Sequence, residues 1–337
     1  MATSPRIAVT VLTGFLGSGK TTLLNRLLST APLGRALVII NEFGTIGVDH
    51  QLVKAVPERV VLLAGGCICC TVRGGLVDAL REAFLMAMRR QIAPFDHVFI
   101  ETSGMADAAP VIFTLRHDFF LSERYAYEGT IAVAVADQAV ALVRQYAVAR
   151  RQLALADLIV VSKGETLMCD AGRAIDQTLR EVNGLARVMH VTRDSRLPKP
   201  ARGVSPFWAD WGREPSAVSG MPRQGLSAIA HHGVETFVVS PDQPWSRAAL
   251  ADALDALVAE LGDALLRVKG VVRFGHSPMW FSVQAVRHVR YPFAPLPSDG
   301  PCHESNSPYG ALVFIMDATG DGTLKQTVQR RLAVTGA

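Results

Sequence analysis

Gly14-Phe-Leu-Gly-Ser-Gly-Lys-Thr21 follows the apolar run Ile7-Ala-Val-Thr-Val-Leu12 and opens a helix-like stretch over 21–29. Gly14, Gly19, Lys20 and Thr21 satisfy the spacing G-x-x-x-x-G-K-[ST]. A strand feeding a glycine-rich turn, with a helix leaving it, aims backbone N–H groups and the positive helix end at one point, which suits a phosphate. Gly14, Gly17 and Gly19 permit the tight backbone. Lys20 is the candidate for the β- and γ-phosphates and Thr21 for a magnesium ion. Ser18 and Thr22 complete the candidate nucleotide-binding set of this loop. A plain glycine-rich turn before a helix would leave the lysine without a purpose.

Outward from this loop, apolar β-type runs at 36–40, 60–63, 97–100, 130–136, 158–161 and 187–191 alternate with helix-like stretches at 75–90, 138–155 and 171–183. Strands that are apolar on both faces and separated by helices predict an α/β domain, a doubly wound and mostly parallel sheet covered on both sides. This P-loop domain is expected over 1–194. Pro198, Pro200, Pro206, Pro215 and Pro222 mark 195–227 as a linker. A smaller α+β domain is expected over 228–337, with strands at 234–240, 265–274, 280–286 and 311–315 and a last helix at 323–332. Its helix at 246–261 shows Leu250, Leu254, Leu257, Val258 and Leu261 on one face. The proline-rich stretch 292–308 is expected to be an exposed loop.

At 337 residues the chain is long enough for two domains with cores of their own. Its 34 lysines and arginines against 30 acidic residues give a net +4, too small and too evenly spread to imply a nucleic-acid partner. No apolar run reaches the ~18 residues of a membrane span. Met1-Ala-Thr-Ser-Pro-Arg6 lacks the order of a signal peptide, so a cytoplasmic protein is expected. Of five cysteines, Cys67, Cys69 and Cys70 crowd together, while Cys169 and Cys302 stand apart. In a reducing compartment such a cluster points to metal or redox chemistry rather than to disulfides.

Three further stretches carry chemistry. In His97-Val-Phe-Ile-Glu-Thr-Ser-Gly104 an apolar strand ends in Glu101, whose carboxylate falls at the ligand edge of a parallel sheet, near magnesium or the attacking water. Gly104 lets its N–H approach a γ-phosphate. Asn41-Glu-Phe-Gly44 and Gly47-Val-Asp49 form either a surface turn or a switch in which Glu42 and Asp49 order around magnesium and γ-phosphate. The second alternative places Asp49 beside Lys20, Glu101 and Gly104 among the candidate catalytic residues. In Gly65-Gly-Cys-Ile-Cys-Cys-Thr71 the three cysteines supply thiolates of the kind zinc prefers, and Glu42, a histidine or water would have to complete four-coordination.

With these motifs in order, the chain resembles the CobW-like P-loop GTPases, a family of metallochaperones and metal insertases. The resemblance covers nearly the whole sequence and rests on Gly14 to Thr22, Asn41-Glu-Phe-Gly44, Gly66-Cys-Ile-Cys-Cys-Thr71, Glu101-Thr-Ser-Gly-Met-Ala-Asp107 and Arg267-Val-Lys-Gly270. It implies GTP, Mg2+ and a transition metal, Zn2+ or Co2+, bound through Cys67, Cys69 and Cys70. It also implies a client metalloprotein that docks partly on the C-terminal domain, and a homo-oligomer is compatible with it. Where the family carries Asn-Lys-x-Asp for guanine, this chain reads Ser162-Lys-Gly-Glu165. Glu165 can still accept two hydrogen bonds from guanine and Lys163 can still lie along the base, so GTP is expected with relaxed selectivity. His231, His232 and Cys302-His303-Glu304 are accessory metal candidates or plain surface residues. Rival readings are an ATP-dependent kinase or ATPase with structural cysteines, and a nucleotide-linked zinc sensor.

Overall fold

The computed structural model describes residues 6–30, 35–40, 60–64, 72–164, 169–192, 195, 197, 229–231, 234–275, 277–296, 307–317 and 323–333. Seven strands form the first sheet: β1 (Ile7–Thr13), β2 (Ala36–Ile40), β3 (Val60–Ala64), β4 (His97–Glu101), β5 (Tyr125–Val135), β6 (Leu158–Ser162) and β7 (Arg187–His190). Their order is β3-β2-β4-β1-β5-β6-β7 and every pairing is parallel. All residues of β2 and β4 are buried, as the apolar residues that dominate both runs predicted for strands covered on both faces. The register sets the strand ends level: Glu101 pairs with Leu12 on one side and Ile40 on the other, and Ile40 pairs with Ala64.

The helices among these strands are α1 (Lys20–Thr30), α2 (Val72–Met88), α3 (Ala109–His117), α4 (Phe119–Arg124), α5 (Ala139–Gln145), α6 (Ala147–Ala154) and α7 (Cys169–Val182). Leu23, Leu24 and Leu27 of α1 pack with Leu12, Phe99 and Ile131 of the sheet in one buried cluster. Each such side chain contributes ~1.5–3 kcal/mol by leaving water.

Two helical expectations need correction. The single helix expected over 138–155 breaks at Tyr146, whose φ of −119° and ψ of 117° are extended. A continuous helix that kept Ala139 and Val143 inside would also turn Arg150 inward. The break resets the phase, so Ala149, Gln152 and Leu153 are buried instead. The Arg150 guanidinium then donates to the carbonyls of Val143 (2.8 Å) and Arg144 (3.3 Å) at the end of α5. Secondly, α3 and α4 occupy a region where no element was expected.

The second sheet contains β8 (Ile229–His231), β9 (Val234–Val239), β10 (Leu265–Arg273), β11 (Trp280–Val286), β12 (Val289–Arg290), β13 (Ala294–Pro295) and β14 (Gly310–Asp317). It is antiparallel in the order β12-β11-β10-β14-β9-β8, with β13 on β11. The helices α8 (Arg247–Leu261) and α9 (Thr323–Ala333) accompany it. Ser246 caps α8 by accepting from the Ala249 N–H, and all five residues of the expected apolar face are buried. They meet Phe237 and Phe314, whose rings stack with centroids 5.5 Å apart. Within 292–308, expected to be an exposed loop, β13 pairs with β11 and Phe293 is buried.

The chain divides into two compact units: Met1–Ala139, Ala156–Gly172 and Arg187–Gly212 form one, and Val140–Leu155, Arg173–Ala186 and Arg213–Ala337 the other. Within the second unit, buried Arg267 donates to the Leu155 carbonyl at the end of α6 (2.6 Å). Arg151 of α6 holds Asp317 of β14 with two hydrogen bonds, 3.0 and 2.7 Å. No helix among the described residues is long and apolar enough to cross a membrane.

At the amino end of β4, His97 is buried, hydrogen-bonded to Thr10 Oγ1 (3.0 Å) and tilted over Phe99 at a centroid distance of 4.5 Å. Burial lowers its pKa to about 3. The unfolded chain therefore takes up a proton near pH 6.5 that the folded chain refuses. This contribution to stability is complete above pH 6.5 and falls away as the pH drops toward 3. Between pH 6.5 and 5 it costs about 2 kcal/mol. Urea titrations at pH 7.5 and 5 should show that loss in the wild type, and His97→Gln should lack it.

Candidate nucleotide and metal site

β1 ends at Thr13 and the chain turns through Gly14, Gly17 and Gly19, with φ of +139°, +70° and +93°, before α1 begins at Lys20. Such backbone angles are open to glycine and strained for other residues. The Lys20 ammonium is buried and donates to the carbonyls of Gly14 (3.0 Å) and Phe15 (3.3 Å), which hold it within the turn. Ser18 is 1% exposed, and its hydroxyl finds no hydrogen-bond partner among the described residues. A buried hydroxyl of this kind fits an anionic oxygen as acceptor, and the first turn of α1 carries no acidic residue to repel one.

Glu101, at the carboxyl end of β4, is 4% exposed and accepts a 2.7 Å hydrogen bond from the Thr21 hydroxyl. Two hard oxygen donors thus meet beside the glycine turn, a combination that fits magnesium. Immediately after Glu101, the Thr102 N–H donates to Leu12 O (2.9 Å) and its hydroxyl to Thr13 Oγ1 (2.9 Å). This clamp between two adjacent strand ends was not anticipated from the sequence; paired threonines at the ends of two apolar runs were its only signal. Gly104 lies so close to the glycine turn that an added Cβ would stand 2.7 Å from Leu16 N and 2.8 Å from Leu16 Cα. The Gly104 backbone therefore packs against the glycine turn with no room for a side chain between them.

Ser162 ends β6 and directs its hydroxyl to Ser18 O (2.9 Å) and Ala134 O (3.2 Å). Lys163, with φ of +58°, places its ammonium 3.4 Å from Gly17 O. Both residues, expected beside the base, contact the glycine turn from the end of β6, two strands away from β1. Thr22 follows on α1. Glu42, Asp49, Cys67, Cys69, Cys70 and Glu165 lie outside the described residues, as do His232, Cys302, His303 and Glu304. His231 falls on β8. Among the described residues no three His, Cys, Asp or Glu side chains come together as a metal site.

Residues 8–190 match the family model "CobW/HypB/UreG, nucleotide-binding domain", and residues 234–334 match "Cobalamin synthesis protein cobW C-terminal domain". The chain belongs to the CobW family. The zinc chaperone YjiA of Escherichia coli (strain K12) is 33% identical over 285 residues, 84% of this chain and 87% of that one. The zinc chaperone CobW of a Sinorhizobium species is 28% identical over 333 residues, 85% of this chain and 86% of its own. The crystal structure of Zn(II)-bound YjiA GTPase from E. coli superposes with a TM-score of 0.71 at 26% identity, covering 98% of this chain and 99% of that one. In this CobW-family chain the nucleotide-binding domain therefore carries the glycine turn, and the match at 234–334 accounts for the separate antiparallel sheet.

Proposed function

We propose that the chain is a GTP-hydrolysing metallochaperone that takes a transition metal, zinc or cobalt, through Cys67, Cys69 and Cys70 and hands it to a client metalloprotein. The observation that carries this reading is the level carboxyl edge of the parallel sheet. Thr13, Ile40, Ala64, Glu101 and Ser162 all end strands there, and the glycine turn, Glu42, the cysteines, Gly104 and Glu165 follow them closely in sequence. Ligands of open α/β sheets bind at that edge. Cys67 is only three residues beyond the end of β3, a reach of ~10 Å. Relatives along most of the chain are named zinc chaperones.

In this mechanism Lys20 and the N–H groups of the glycine turn bind the β- and γ-phosphates. Thr21 and Glu101 hold magnesium, which when bound neutralises developing charge on the phosphate oxygens. Ser162 and Lys163 keep the turn in place while Lys163 and Glu165 receive the base. Gly104 and the segment with Glu42 and Asp49 respond to the γ-phosphate. Hydrolysis removes the contact that holds them, and the thiolates, three to six residues beyond β3, release the metal to the client.

Nucleotide and metal are then linked: each changes the affinity of the other by the same factor, typically ~5–150-fold. Zinc titrations with and without magnesium and a non-hydrolysable GTP analogue measure that factor. Cys67→Ser with Cys69→Ser should abolish tight zinc binding and leave GTP hydrolysis without metal in place. Equal zinc affinities with and without nucleotide, or full affinity in the double variant, would sink the proposal.

A further inference from the structure

Among the large apolar side chains that stand exposed, Phe119 (77%), Met88 (69%) and Leu85 (39%) belong to one pair of packed helices, α2 and α4. Leu76, Leu80 and Ala83 of α2 are buried, so Asp78, Arg81, Glu82, Leu85 and Met88, spaced i, i+3, i+4, i+7 and i+10, form its outward stripe, and exposed Arg89 and Arg90 follow in the next turn. A solvated stripe ordinarily carries polar residues, and here two of the five, at the end nearest those arginines, are large and apolar. Beside it, Phe84 of α2 and Phe120 of α4 meet edge to face at 5.6 Å. Arg81 lies over Phe120 (5.2 Å), and Arg124 lies over both Phe120 (4.3 Å) and Phe84 (5.5 Å). The guanidinium groups are thus held in place before any partner arrives.

The charge on this face is mostly uncommitted. Arg81, Arg89 and Arg90 make no ion pair among the described residues, whereas Arg124 pairs with its exposed neighbour Glu123 at 3.1 Å. We propose that the α2–α4 face docks a partner protein through an acidic amphipathic segment. Apolar side chains of that segment cover Phe119, Met88 and Leu85, and its carboxylates meet Arg81, Arg89 and Arg90. Aromatic and arginine anchors of this kind carry most of the energy in protein interfaces, and stacked arginines lose less freedom on binding. A second copy of this chain fits poorly, because a twofold contact would set the same arginines against one another. A lipid or nucleic-acid surface fits less well, since its closely repeated phosphates would face Asp78, Glu82 and Glu123 as well as the arginines, whereas a peptide segment can set its carboxylates opposite the arginines alone. The face lies at the far end of α2 from Val72, ~25 Å along the helix, so a docked partner leaves the carboxyl edge of the sheet open. The inference stands whether or not the chain delivers metal.

The test uses the full chain and two fluorescein-labelled helical peptides with identical leucine and phenylalanine positions, one bearing glutamates and the other lysines. Anisotropy should show binding of the glutamate peptide alone, weakened at higher salt. Phe119→Ser with Met88→Ser should weaken it at least ~10-fold, and so should Arg89→Glu with Arg90→Glu. Thermal melting and GTP hydrolysis should be unchanged in both variants, which separates lost docking from lost folding. Equal binding of the two peptides, or full binding by both variants, overturns the proposal. So does phosphatidylglycerol vesicle binding that depends on Phe119, which would make the face a lipid surface. A reversible dimer abolished by Phe119→Ser would make it a self-contact instead.

Discussion

Replacing Lys20 by alanine is expected to slow GTP hydrolysis by ~10²–10³-fold while leaving the fold intact. The lysine is buried at the start of α1, and its ammonium donates to backbone carbonyls of its own turn, Gly14 O and Phe15 O. Those carbonyls can take water in its place, so the stability change should stay within ~1.5 kcal/mol. In the transition state, however, charge spreads over the phosphate oxygens, and a fixed ammonium stabilises it more than mobile water can. Lys20→Arg keeps the charge but not the compact shape and should recover little activity. Steady-state hydrolysis with a parallel thermal melt decides the matter. A loss of less than ~10-fold in Lys20→Ala with an unchanged melt would mean that the ammonium braces the turn and does not act on phosphate.

The parts of the fold that were legible in the sequence are those where one physical cause acts alone. The run at 36–40 is wholly apolar and that at 97–100 is apolar after His97, because both faces are covered, and they became β2 and β4. The five-residue apolar face of α8 was equally plain, because a single helix packs a single face. Where causes compete, the sequence misled. The apolar pattern over 138–155 fits a helix at each end, but the two ends differ in phase, and burial of Leu153 rather than Arg150 decided the break at Tyr146. The missed helices did leave marks. Asp107 accepts from the Ala109 N–H (2.9 Å) with Pro110 in the first turn, and Asp118 accepts from the Leu121 N–H (3.0 Å). Both are ordinary start signals of helices too short to show periodicity. The pairs β12 and β13 carry two residues each and depend entirely on β11 as a template.

The site shows the same division. Its glycine turn is local, encoded by consecutive residues whose spacing alone predicts phosphate binding. The supports are not local: Thr102 grips Thr13 across 89 positions, and Ser162 reaches Ser18 across 144. Nothing in the sequence near Ser162 announces that its hydroxyl serves the glycine turn. A serine in place of the family's asparagine weakened the expectation for base recognition, yet it retains a donor that can brace the loop.

Gly104→Ala should lower hydrolysis by ~10²-fold through a single added methyl group. The new Cβ would stand 2.7 Å from Leu16 Cδ2, 2.7 Å from Leu16 N and 2.8 Å from Leu16 Cα. A side-chain tip can swing away, but the backbone of a turn fixed by Gly14, Gly17 and Gly19 cannot shift without moving the N–H groups proposed to receive phosphate. The overpacking itself costs ~1–3 kcal/mol of stability. Its larger effect falls on the rate, because reacting groups displaced by ~1 Å lose alignment more than they lose contact. Binding of a fluorescent GTP analogue should therefore weaken much less than single-turnover hydrolysis slows. The combination Gly104→Ala with Leu16→Ala separates the two sources of the clash. Trimming Leu16 removes the Cδ2 contact and leaves the backbone contacts, so activity should stay low. Recovery to near wild-type rates would show that only the side chain had been in the way, and that the loops of Gly104 and Leu16 are not coupled through their backbones.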